Sequence, residues 1–445
     1  MAPGNLQANA VSDYVKFLRD TSPYINTHRG KTFVLALGGE AIAHANFTNI
    51  VHDIALLHSL GIKLVLVHGA RPQIEERLKG SAISPQFDQY TRITDSATMV
   101  CVKDAVGSAR ISIEAKLSTG ATNSPMHGAR IRVLGGNLIT AKPLGVREGI
   151  DFHHTGEVRR IDHKAIQRQL EDGAIVLLSP IGYSPTGEAY NLNYEDIATQ
   201  TAVSMGAEKL IIFSTSGGVK TPQGDLLKML SLNEVPQCLN VLKDNVSLQH
   251  ALMACYQACE NGVLRGHIIS YEDNGALLTE LFTLEGSGTL VLKNGREVIR
   301  QATIDDVGGL LELIEPLEQK GILVKRSREL LETEISRFTV MLHAEGMLVG
   351  CAAIYPFRDG LSAELACVVT HPEFLNRGFA SRLLAQLETQ AALQGIKQLF
   401  VLTTRASDWF KEKGFVDSSL DELPAERKSL YNFQRNSRIF CKNLL

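Results

Sequence analysis

The stretch that decides the fold runs from Ala363 to Leu384 and has the sequence AELACVVTHPEFLNRGFASRLL. Its first part, Ala363 to Thr370, is apolar apart from one internal carboxylate, Glu364, and this pattern predicts a buried strand. Pro372 ends the strand because proline has no backbone N–H to donate to a sheet. The stretch therefore begins with a buried strand that carries one ionisable side chain.

The second part of the stretch places a glycine just before an amphipathic helix, which is predicted from Ser381 onward. Gly378 and Ala380 leave room for a ligand to approach the backbone closely. The free N–H groups of a first helical turn point at such a ligand, and the helix dipole adds to the attraction for an anion. A strand, a glycine-containing loop and a helix start are therefore expected to bind an anion such as a pyrophosphate.

This stretch resembles motif A of the GNAT acetyltransferases, which hold the pyrophosphate of coenzyme A in this way. The family pattern is Arg/Gln-x-x-Gly-x-Gly/Ala, and this chain departs from it at the first position, where an apolar residue replaces a polar one. The resemblance implies acetyl-CoA as co-substrate, with strand backbone groups offered to its pantetheine arm. An ordinary strand–turn–helix connection is the alternative. The implied acetyl-CoA positions are Val368, Val369, Leu375, Asn376, Arg377, Gly378, Phe379 and Ala380.

Length and composition predict a globular protein of two or three domains, because 445 residues exceed one ordinary core. The formal net charge of -3 shows no excess of basic residues of the kind that binds nucleic acid. There is no run of 18 apolar residues and no secretory signal at the N-terminus, so we expect neither a membrane partner nor export. Seven scattered cysteines without a CxxC pair suggest reduced thiols in the cytoplasm and no metal site.

Apolar segments alternate with helical patterns from Thr32 to about Leu292, after a short helix predicted over residues 11–25. Such alternation predicts βαβ units, hence a mainly parallel sheet covered by helices on both faces, an α/β sandwich of three layers. The predicted strands are Thr32–Leu37, Lys63–His68, Ile131–Leu134, Ala174–Ser179, Lys209–Ser214, His267–Ser270 and Thr289–Leu292. The predicted helices between them include Thr48–Leu60, Ser96–Leu117 and Asn193–Met205.

Three glycine turns follow strands of this region, at the sheet edge where ligands of open α/β folds bind. The turns resemble those of the amino-acid kinase family, N-acetylglutamate kinase above all. The likeness covers most of residues 24–292 in the right order and implies the αβα sandwich of that family. The segments that carry it are LALGGE (35–40), VLVHGARPQI (65–74), YNLNYEDIATQTA (190–202) and GAEKLIIFSTSGGV (206–219).

Departures from the kinase pattern predict that kinase chemistry is lost. The kinases carry a lysine two positions before Gly38, where this chain has Ala36, and that lysine supplies the electrostatic stabilisation on which phosphoryl transfer depends. Arg71 replaces a glycine of a Gly-Gly-Gly-Pro segment and is expected to crowd the acyl-substrate pocket. Glu195 and Thr215 stand where the kinases have aspartates. A kinase with relocated charges is the alternative.

The segment GALLTELFTLEGSGT (275–289) resembles the signature of arginine-sensitive N-acetylglutamate kinases and synthases. An arginine ligand needs a carboxylate for its guanidinium, and backbone groups for its own carboxylate and ammonium. The resemblance implies that this region is an arginine-binding regulatory domain. The alternatives are that Glu280 is a solvated carboxylate on a helix and that His267 is a histidine at a strand end whose hydrogen bonds are made within the protein. The implied effector positions are Tyr24, His267, Glu280 and Gly286.

The pattern changes at the polar, turn-forming segment 293–296, which is predicted to be a linker. Beyond it the sequence predicts a strand, a helix, a hairpin, the opening stretch, a further strand and a helix with a glycine stop, which together form a complete α+β GNAT domain. The predicted organisation is an N-terminal helix (1–26), a kinase-like regulatory domain (27–292), the linker and an acetyltransferase domain (297–445).

A kinase-like domain followed by a GNAT domain resembles the N-acetylglutamate synthases of bacteria over nearly the whole chain. The resemblance implies acetyl transfer from acetyl-CoA to L-glutamate, the first step of arginine biosynthesis, with L-arginine as effector and a homo-oligomer, a hexamer in that family. Arginines suit a substrate with two carboxylates, because an arginine side chain binds a carboxylate in bidentate fashion. The alternative is that these arginines are solvated surface charges. The cysteine can equally be explained by a packing role. The implied substrate positions are Arg326, Cys367, Thr403, Arg435 and Ser437.

Glu364 matches the carboxylate that acts as general base in the family. An ammonium group cannot attack a thioester, so a base must first remove a proton, and a strand N–H is expected to stabilise the oxyanion. In GNAT enzymes a tyrosine often protonates the leaving thiolate, but this chain has Phe410 at that position. The general acid is then Thr403 acting through water, or there is none. Two other functions remain open: a non-catalytic arginine sensor, and a GNAT enzyme that acts on another amine, such as protein lysine.

Overall fold

The computed structural model describes residues 15, 19, 21–120, 126–242, 245–283, 285–293, 297–343, 346–375, 378–429, 431 and 436–444. The chain divides into two compact units, Met1–Asn294 and Gly295–Leu445. The boundary lies inside the predicted linker, of which residues 294–296 are not described. Among the described helices, none combines the length and the apolar character that crossing a membrane requires.

Strands and helices alternate along the first unit, as the apolar segments predict. In chain order the elements are α1 (residues 21–28), β1 (Thr32–Leu37), α2 (Gly39–Ala43), α3 (Phe47–Ser59), β2 (Lys63–His68), α4 (Arg71–Gly80), β3 (Gln86–Asp88), β4 (Thr91–Ile93), α5 (Ser96–Leu117), β5 (Arg132–Leu134), β6 (Ile139–Pro143), β7 (Val146–Arg147), β8 (Ile150–Asp151), β9 (Gly156–Ile161), α6 (His163–Glu171), β10 (Ala174–Leu178), β11 (Ile181–Tyr183), β12 (Ala189–Asn191), α7 (Tyr194–Met205), β13 (Lys209–Ser214), β14 (Met229–Ser231), α8 (Val235–Val241), α9 (Val246–Glu260), β15 (Arg265–Ser270), α10 (Ala276–Phe282) and β16 (Thr289–Leu292).

The main sheet of this unit has the strand order β14-β16-β15-β13-β1-β2-β10-β5. All neighbours in it pair in parallel except β15 and β16. The central strand β1 is buried along its apolar run because helices cover both faces of the sheet. The backbone N–H of Gly69 donates to Leu37 O at 2.7 Å, so the turns after β1 and β2 lie side by side at the carboxyl edge of the sheet.

The first helix extends further than predicted. We expected it to end at residues 22–25, around Pro23, but the chain stays helical through His28. His28 is buried, donates a hydrogen bond from Nε2 to Leu281 O (2.9 Å) and packs edge-on against Phe33 and Phe282. Burial of this last turn outweighs the helix-terminating tendency of the proline.

The second unit is built around one sheet of the order β17-β18-β19-β20-β21-β23-β22. Its elements are β17 (Glu297–Gln301), α11 (Val307–Gln319), α12 (Arg328–Glu334), β18 (Phe338–His343), β19 (Leu348–Pro356), β20 (Ser362–Thr370), α13 (Phe379–Leu393), β21 (Gln398–Thr403), α14 (Ser407–Glu412), β22 (Val416–Ser418), α15 (Ala425–Lys428) and β23 (Arg438–Asn443).

Strands β20 and β21 form the only parallel pair among the described strands of this sheet. They pair from Ser362↔Gln398 to Glu364↔Phe400, and β20 then continues for six residues without pairing to β21. On its other side β20 pairs with β19, with a register shift between Cys351 and Ala353. The separation of β20 from β21 leaves a gap in the middle of the sheet.

The helix that begins within the opening stretch, α13, starts two residues earlier than predicted, at Phe379 instead of Ser381. Gly378 precedes it with φ 79°, a left-handed conformation that glycine adopts without strain. A left-handed residue cannot be part of a right-handed helix, so the first turn starts directly after this glycine, at Phe379.

Candidate active site

One cavity of about 300 Å³ in the second unit lies beside the gap between β20 and β21. It brings together four of the predicted residues, Arg326, Glu364, Cys367 and Ser437. Its complete lining is Leu323, Val324, Arg326, Glu364, Ala366, Cys367, Leu402, Arg427, Tyr431 and Ser437. The lining comes from the loop before α12, from β20 and β21, from α15 and from the segment before β23. Residues far apart in sequence therefore meet in one polar cavity.

Glu364 is the carboxylate of this cavity, and it is held by a single arginine. Arg427, on the short helix α15, binds it with two N–H groups: Nη2 donates to Oε1 at 3.0 Å, and Nε donates to Oε2. The side chains of Glu364 and Arg427 are 15% and 21% exposed, so the ion pair is largely shielded from water. Local sequence analysis missed Arg427, because the segment around it has the appearance of an ordinary charged surface helix.

Arg326 supplies a second guanidinium to the cavity. Its Nη1 donates to Val324 O at 3.0 Å, and its backbone N–H donates to Glu318 Oε1 at 2.9 Å. Burial opposes the charged form, yet the neighbouring Cys367, Tyr355 and Glu318 together raise the pKa of Arg326. The fixed loop geometry and the remaining donors of the guanidinium make Arg326 available to a carboxylate.

Cys367 lines the cavity from an unusual backbone conformation. Its φ is 54°, which is rare for a residue with a side chain, and it lies at the bulge of β20 against β19. The hydrogen bond from the Cys351 thiol, together with the charge of Arg326, lowers the pKa of Cys367 despite its burial. The bulge thereby directs β20 backbone and side-chain atoms into the cavity.

One predicted substrate residue, Thr403, is not among the residues that line the cavity. The Thr403 hydroxyl accepts hydrogen bonds from the backbone N–H groups of Arg405 (3.3 Å) and Ala406 (3.1 Å) at the start of α14. Arg435 lies outside the described residues. Phe410 is buried against Trp409 and Phe415, so it packs in the core and has no proton to donate.

The predicted coenzyme A loop joins β20 to α13. Phe379 is buried and stacks on Phe374 with ring centroids 5.0 Å apart, which anchors the first turn of α13. Leu375 is exposed, and Asn376 and Arg377 lie outside the described residues. Among the described residues no side chain caps α13, so the N–H groups of its first turn are available to an anion. Of the two strand residues predicted to serve pantetheine, Val369 is buried and Val368 is half-buried.

The predicted effector residues of the first unit also come together. Glu280, on α10, is 5% exposed. Its Oε1 is 2.7 Å from Nδ1 of the buried His267, and its Oε2 accepts backbone N–H groups from Ser287 (2.7 Å) and Gly288 (2.8 Å). Burial opposes ionisation, but these hydrogen bonds and the charge of His267 lower the pKa of Glu280. The alternative of a solvated helix carboxylate is therefore wrong.

Gly286 and Lys209 lie close to Glu280 and His267. A Cβ at Gly286, where φ is 58°, would lie 2.6 Å from Glu280 Oε2, so only glycine fits there. Lys209, which is fully buried at the start of β13, lies 3.4 Å from His267 Nε2. Lys209 was not predicted to belong to this region, although a charged residue at the start of an apolar strand can indicate a buried polar site. Tyr24, on α1, is 8% exposed.

The kinase-like cleft is still open although its catalytic groups differ. It is a cavity of about 690 Å³ at the carboxyl edge of β1 and β2. Arg71 and Glu195 line it, and Ala36 is buried within β1. Arg71 was expected to crowd this pocket, but the arginine leaves a cleft of ligand size.

Comparison with known proteins adds to this geometry. Residues 31–270 match the amino acid kinase family, and residues 309–415 match the acetyltransferase (GNAT) family. The amino-acid acetyltransferase of Pseudomonas fluorescens strain Pf0-1 is 55% identical over 97% of this chain and 100% of its own length. N-acetylglutamate synthase from Neisseria gonorrhoeae, in a structure with coenzyme A and L-arginine, is 35% identical with a TM-score of 0.86, over 97% of this chain and 99% of that one.

The chain belongs to the N-acetylglutamate synthase family. A second structure of the Neisseria gonorrhoeae synthase, with coenzyme A and N-acetyl-glutamate, has a TM-score of 0.61 at the same identity and coverage. Membership of this family confirms the predicted kinase-like sandwich followed by a GNAT domain, the amino-acid acetyltransferase class and acetyl-CoA as co-substrate. The roles of the individual site residues stay predictions.

Proposed function

We propose that this member of the synthase family transfers the acetyl group of acetyl-CoA to the α-amine of L-glutamate, giving N-acetyl-L-glutamate and coenzyme A. The observation that supports this reaction is the cavity in which the carboxylate of Glu364 lies with the guanidinium groups of Arg326 and Arg427. A substrate with two carboxylates and one amine complements two arginines and one base. Ser437 and the predicted Arg435 belong to the same proposed substrate site.

Glu364 removes the proton from the glutamate ammonium, because only the neutral amine attacks a carbonyl. Both oxygens of Glu364 are bound to Arg427 in this structure. In the proposed reaction, Arg427 passes from Glu364 to a carboxylate of the arriving substrate. The guanidinium stays paired throughout this exchange, which avoids an unpaired buried charge, and Glu364 is freed to accept the proton.

The amine nitrogen then attacks the thioester carbonyl, the new C–N bond forms, and the C–S bond breaks as the CoA thiolate leaves. A backbone N–H of β20 stabilises the oxyanion, and the gap beside β20 admits the pantetheine arm along Val368 and Val369. The first turn of α13 binds the pyrophosphate through its free N–H groups. Thr403 acting through water remains the candidate that protonates the thiolate.

L-Arginine is the proposed effector of this chain, as the end product of the pathway whose first step the reaction catalyses. Its proposed site comprises Tyr24, His267, Glu280 and Gly286 in the first unit. Glu280 is bound to His267 here, so an arginine guanidinium has to share or replace that contact. Binding at this site alters acetylation only if the protein has arrangements that bind arginine unequally.

We also propose a homo-oligomer, a hexamer by family resemblance, in the cytoplasm. The seven cysteines are all free thiols, as is usual for proteins of a reducing compartment. Light scattering of the purified chain measures the oligomer directly, and a monomeric mass contradicts it.

A release assay for free CoA thiol tests the proposed reaction. Purified protein is given acetyl-CoA with L-glutamate, L-aspartate, L-lysine or a lysine peptide, each with and without L-arginine. Glutamate should produce CoA, and the other amines should produce hardly any. Faster release with a peptide amine contradicts the substrate assignment. Arginine binding without thiol release from any amine supports the non-catalytic sensor instead.

A further inference from the structure

The kinase-like cleft contains a buried arginine whose hydrogen bonding is incomplete. Arg92, on β4, is 7% exposed and lines the cleft. Its Nη2 donates to Glu75 Oε1 at 2.5 Å, whereas its Nη1 is buried and has no hydrogen-bond partner among the described residues. Buried charged donors are normally paired with acceptors, so an arginine that lines a cavity with one unpaired donor is suited to bind an anionic group.

A second positive group lies at the same end of the cleft. The guanidinium carbons of Arg71 and Arg92 are 5.2 Å and 4.6 Å from the ring centroid of Phe87, so both groups rest against one aromatic ring. Arg71 forms no ion pair with any described residue. It is also the first residue of α4, whose N-terminus has no side-chain cap and contributes to the cleft wall. The helix dipole therefore adds to the positive potential of the two arginines.

Carboxyl groups line the same cleft. Glu157 is neutralised by Lys142 (2.8 Å) and Arg147 (3.3 Å). Glu40 and Glu195 form no ion pair with any described residue. Burial, and then the nearby charge of Glu40, raise the pKa of Glu195 to about 7, against the opposite effect of Arg71. Two neighbouring carboxyl groups without a cationic partner among the described residues suit a cationic ligand group.

The backbone keeps this part of the cleft open. A Cβ at Gly38 would lie 2.9 Å from Glu40 Oε2 and 3.1 Å from Tyr194 Oη. A Cβ at Gly69 would lie 3.0 Å from the Tyr194 ring. A side chain at either position would have to displace Glu40 or Tyr194, so the two glycines keep space between the carboxyl groups and the strand ends.

We propose that the cleft binds a free α-amino acid as a zwitterion, with its carboxylate on Arg92 and Arg71 and its ammonium between Glu40 and Glu195. A ligand with both charges satisfies the unpaired Nη1 donor of Arg92 and gives Glu40 and Glu195 the cationic partner that they lack among the described residues. Phosphate or a dicarboxylate satisfies the arginines but meets the acidic wall. The cleft shares no residue with the acetyltransferase cavity or with the proposed effector contacts of His267 and Glu280. It is therefore a third ligand site, and it is independent of the proposed function.

Thermal-shift and calorimetric titrations of the full chain test this site. The twenty L-amino acids are screened singly, and those that stabilise the protein are titrated into wild type, Arg71→Gln, Arg92→Lys and Arg77→Gln. Arg77 lies on the same helix, is exposed and does not line the cleft, so Arg77→Gln is the matched control. CoA release with glutamate serves as the folding control, since Arg71 and Arg92 belong to the first unit and do not line the acetyltransferase cavity of the second.

We expect one binding event that weakens at least tenfold in Arg71→Gln and Arg92→Lys but not in Arg77→Gln. The same amino acid without its ammonium, given as the matching carboxylic acid, should bind at least tenfold more weakly. If no amino acid binds in a manner that depends on Arg71, the proposal is overturned. It is equally overturned if the carboxylic acid or inorganic phosphate binds there as tightly as the amino acid does, because the cleft is then a plain anion site.

Discussion

Two shielded carboxylates, Glu280 in the first unit and Glu364 in the second, are stabilised by different kinds of donor. Glu280 is held by the ring of His267 and by two backbone N–H groups, and its side chain is 4% exposed. Glu364 is held by the guanidinium of Arg427 and borders an open cavity. Backbone donors cannot leave without a change in the fold, whereas an arginine side chain can change partners by rotating.

The difference separates a carboxylate that belongs to the architecture from one that is available for chemistry. Movement at Glu280 requires the segment around Gly286 to move too, which suits an effector site coupled to conformation. Movement at Glu364 requires only that a better partner attract Arg427. The following predictions test this contrast.

The largest expected effect comes from Glu364→Gln, which keeps the size of the side chain and removes its basicity. Turnover should fall by roughly a hundredfold or more, as is usual when a general base is lost. The deficit should shrink as the pH rises, because free amine accumulates without help. The pH–rate profile for glutamate measures this, and coenzyme A binding controls for folding. A wild-type rate at neutral pH would remove Glu364 from the mechanism.

A second substitution, Arg427→Gln, tests the exchange of partners. Glutamate loses a charged hydrogen-bonding partner, so its KM should rise by roughly ten- to a hundredfold. Acetyl-CoA affinity should be unchanged, since Arg427 lies away from the α13 loop in sequence and lines the substrate cavity. The matched control is Arg358→Gln, whose side chain is 95% exposed and pairs with Glu426 on the same helix. An unchanged KM for glutamate in Arg427→Gln contradicts the exchange.

The counterpart in the first unit is Glu280→Ala, which should abolish the arginine effect and spare basal acetylation. It also removes the acceptor of the backbone N–H groups of Ser287 and Gly288, so the free energy of unfolding should fall by about 1–3 kcal/mol. Calorimetry with L-arginine and a rate assay measure the first effect, and denaturant unfolding measures the second. Glu285→Ala, at an exposed position of the same segment, is the control. Unchanged arginine affinity would place the effector site elsewhere.

The smallest effect concerns acid stability. The hydrogen bond from His267 and those from the backbone hold the folded pKa of Glu280 below its ordinary value, against the effect of burial. Its contribution to stability is therefore fully present above the unfolded pKa and is lost as the pH falls through the folded pKa. The difference in unfolding free energy between wild type and Glu280→Gln should narrow as the pH falls below about 4.5, the ordinary pKa of the carboxyl group. A difference that is constant with pH contradicts the ion-pair description.

Segments buried on both faces were predictable from sequence almost to the residue. The strands Thr32–Leu37, Lys63–His68 and Lys209–Ser214 and the helix Ser96–Leu117 have the predicted bounds. Continuous apolar runs between turn residues permit few other arrangements. The short, half-exposed strands β6 to β9 and β11 to β12 were not predicted, because they lack apolar periodicity and depend on pairing with each other.

The functional residues also differ in how far they could be predicted from sequence. Residues inside a family motif, such as Glu364 and Glu280, could be named from sequence. Arg427 and Arg92 could not, because each acts through a partner distant in sequence, 63 positions away for Glu364 and 17 for Glu75. A charged residue on a short helix or strand has no local signal that distinguishes an interior ion pair from a solvated charge.

The gap between β20 and β21 also has a consequence for the solubility of the unliganded enzyme. Beyond Glu364, one side of β20 pairs with no strand of the described part of the chain, which gives an interior strand the character of an exposed sheet edge. An extended pantetheine arm in the gap covers that edge much as an added strand does. Coenzyme A should therefore delay aggregation on heating by more than its binding energy alone provides, so the co-substrate also protects the fold against self-association.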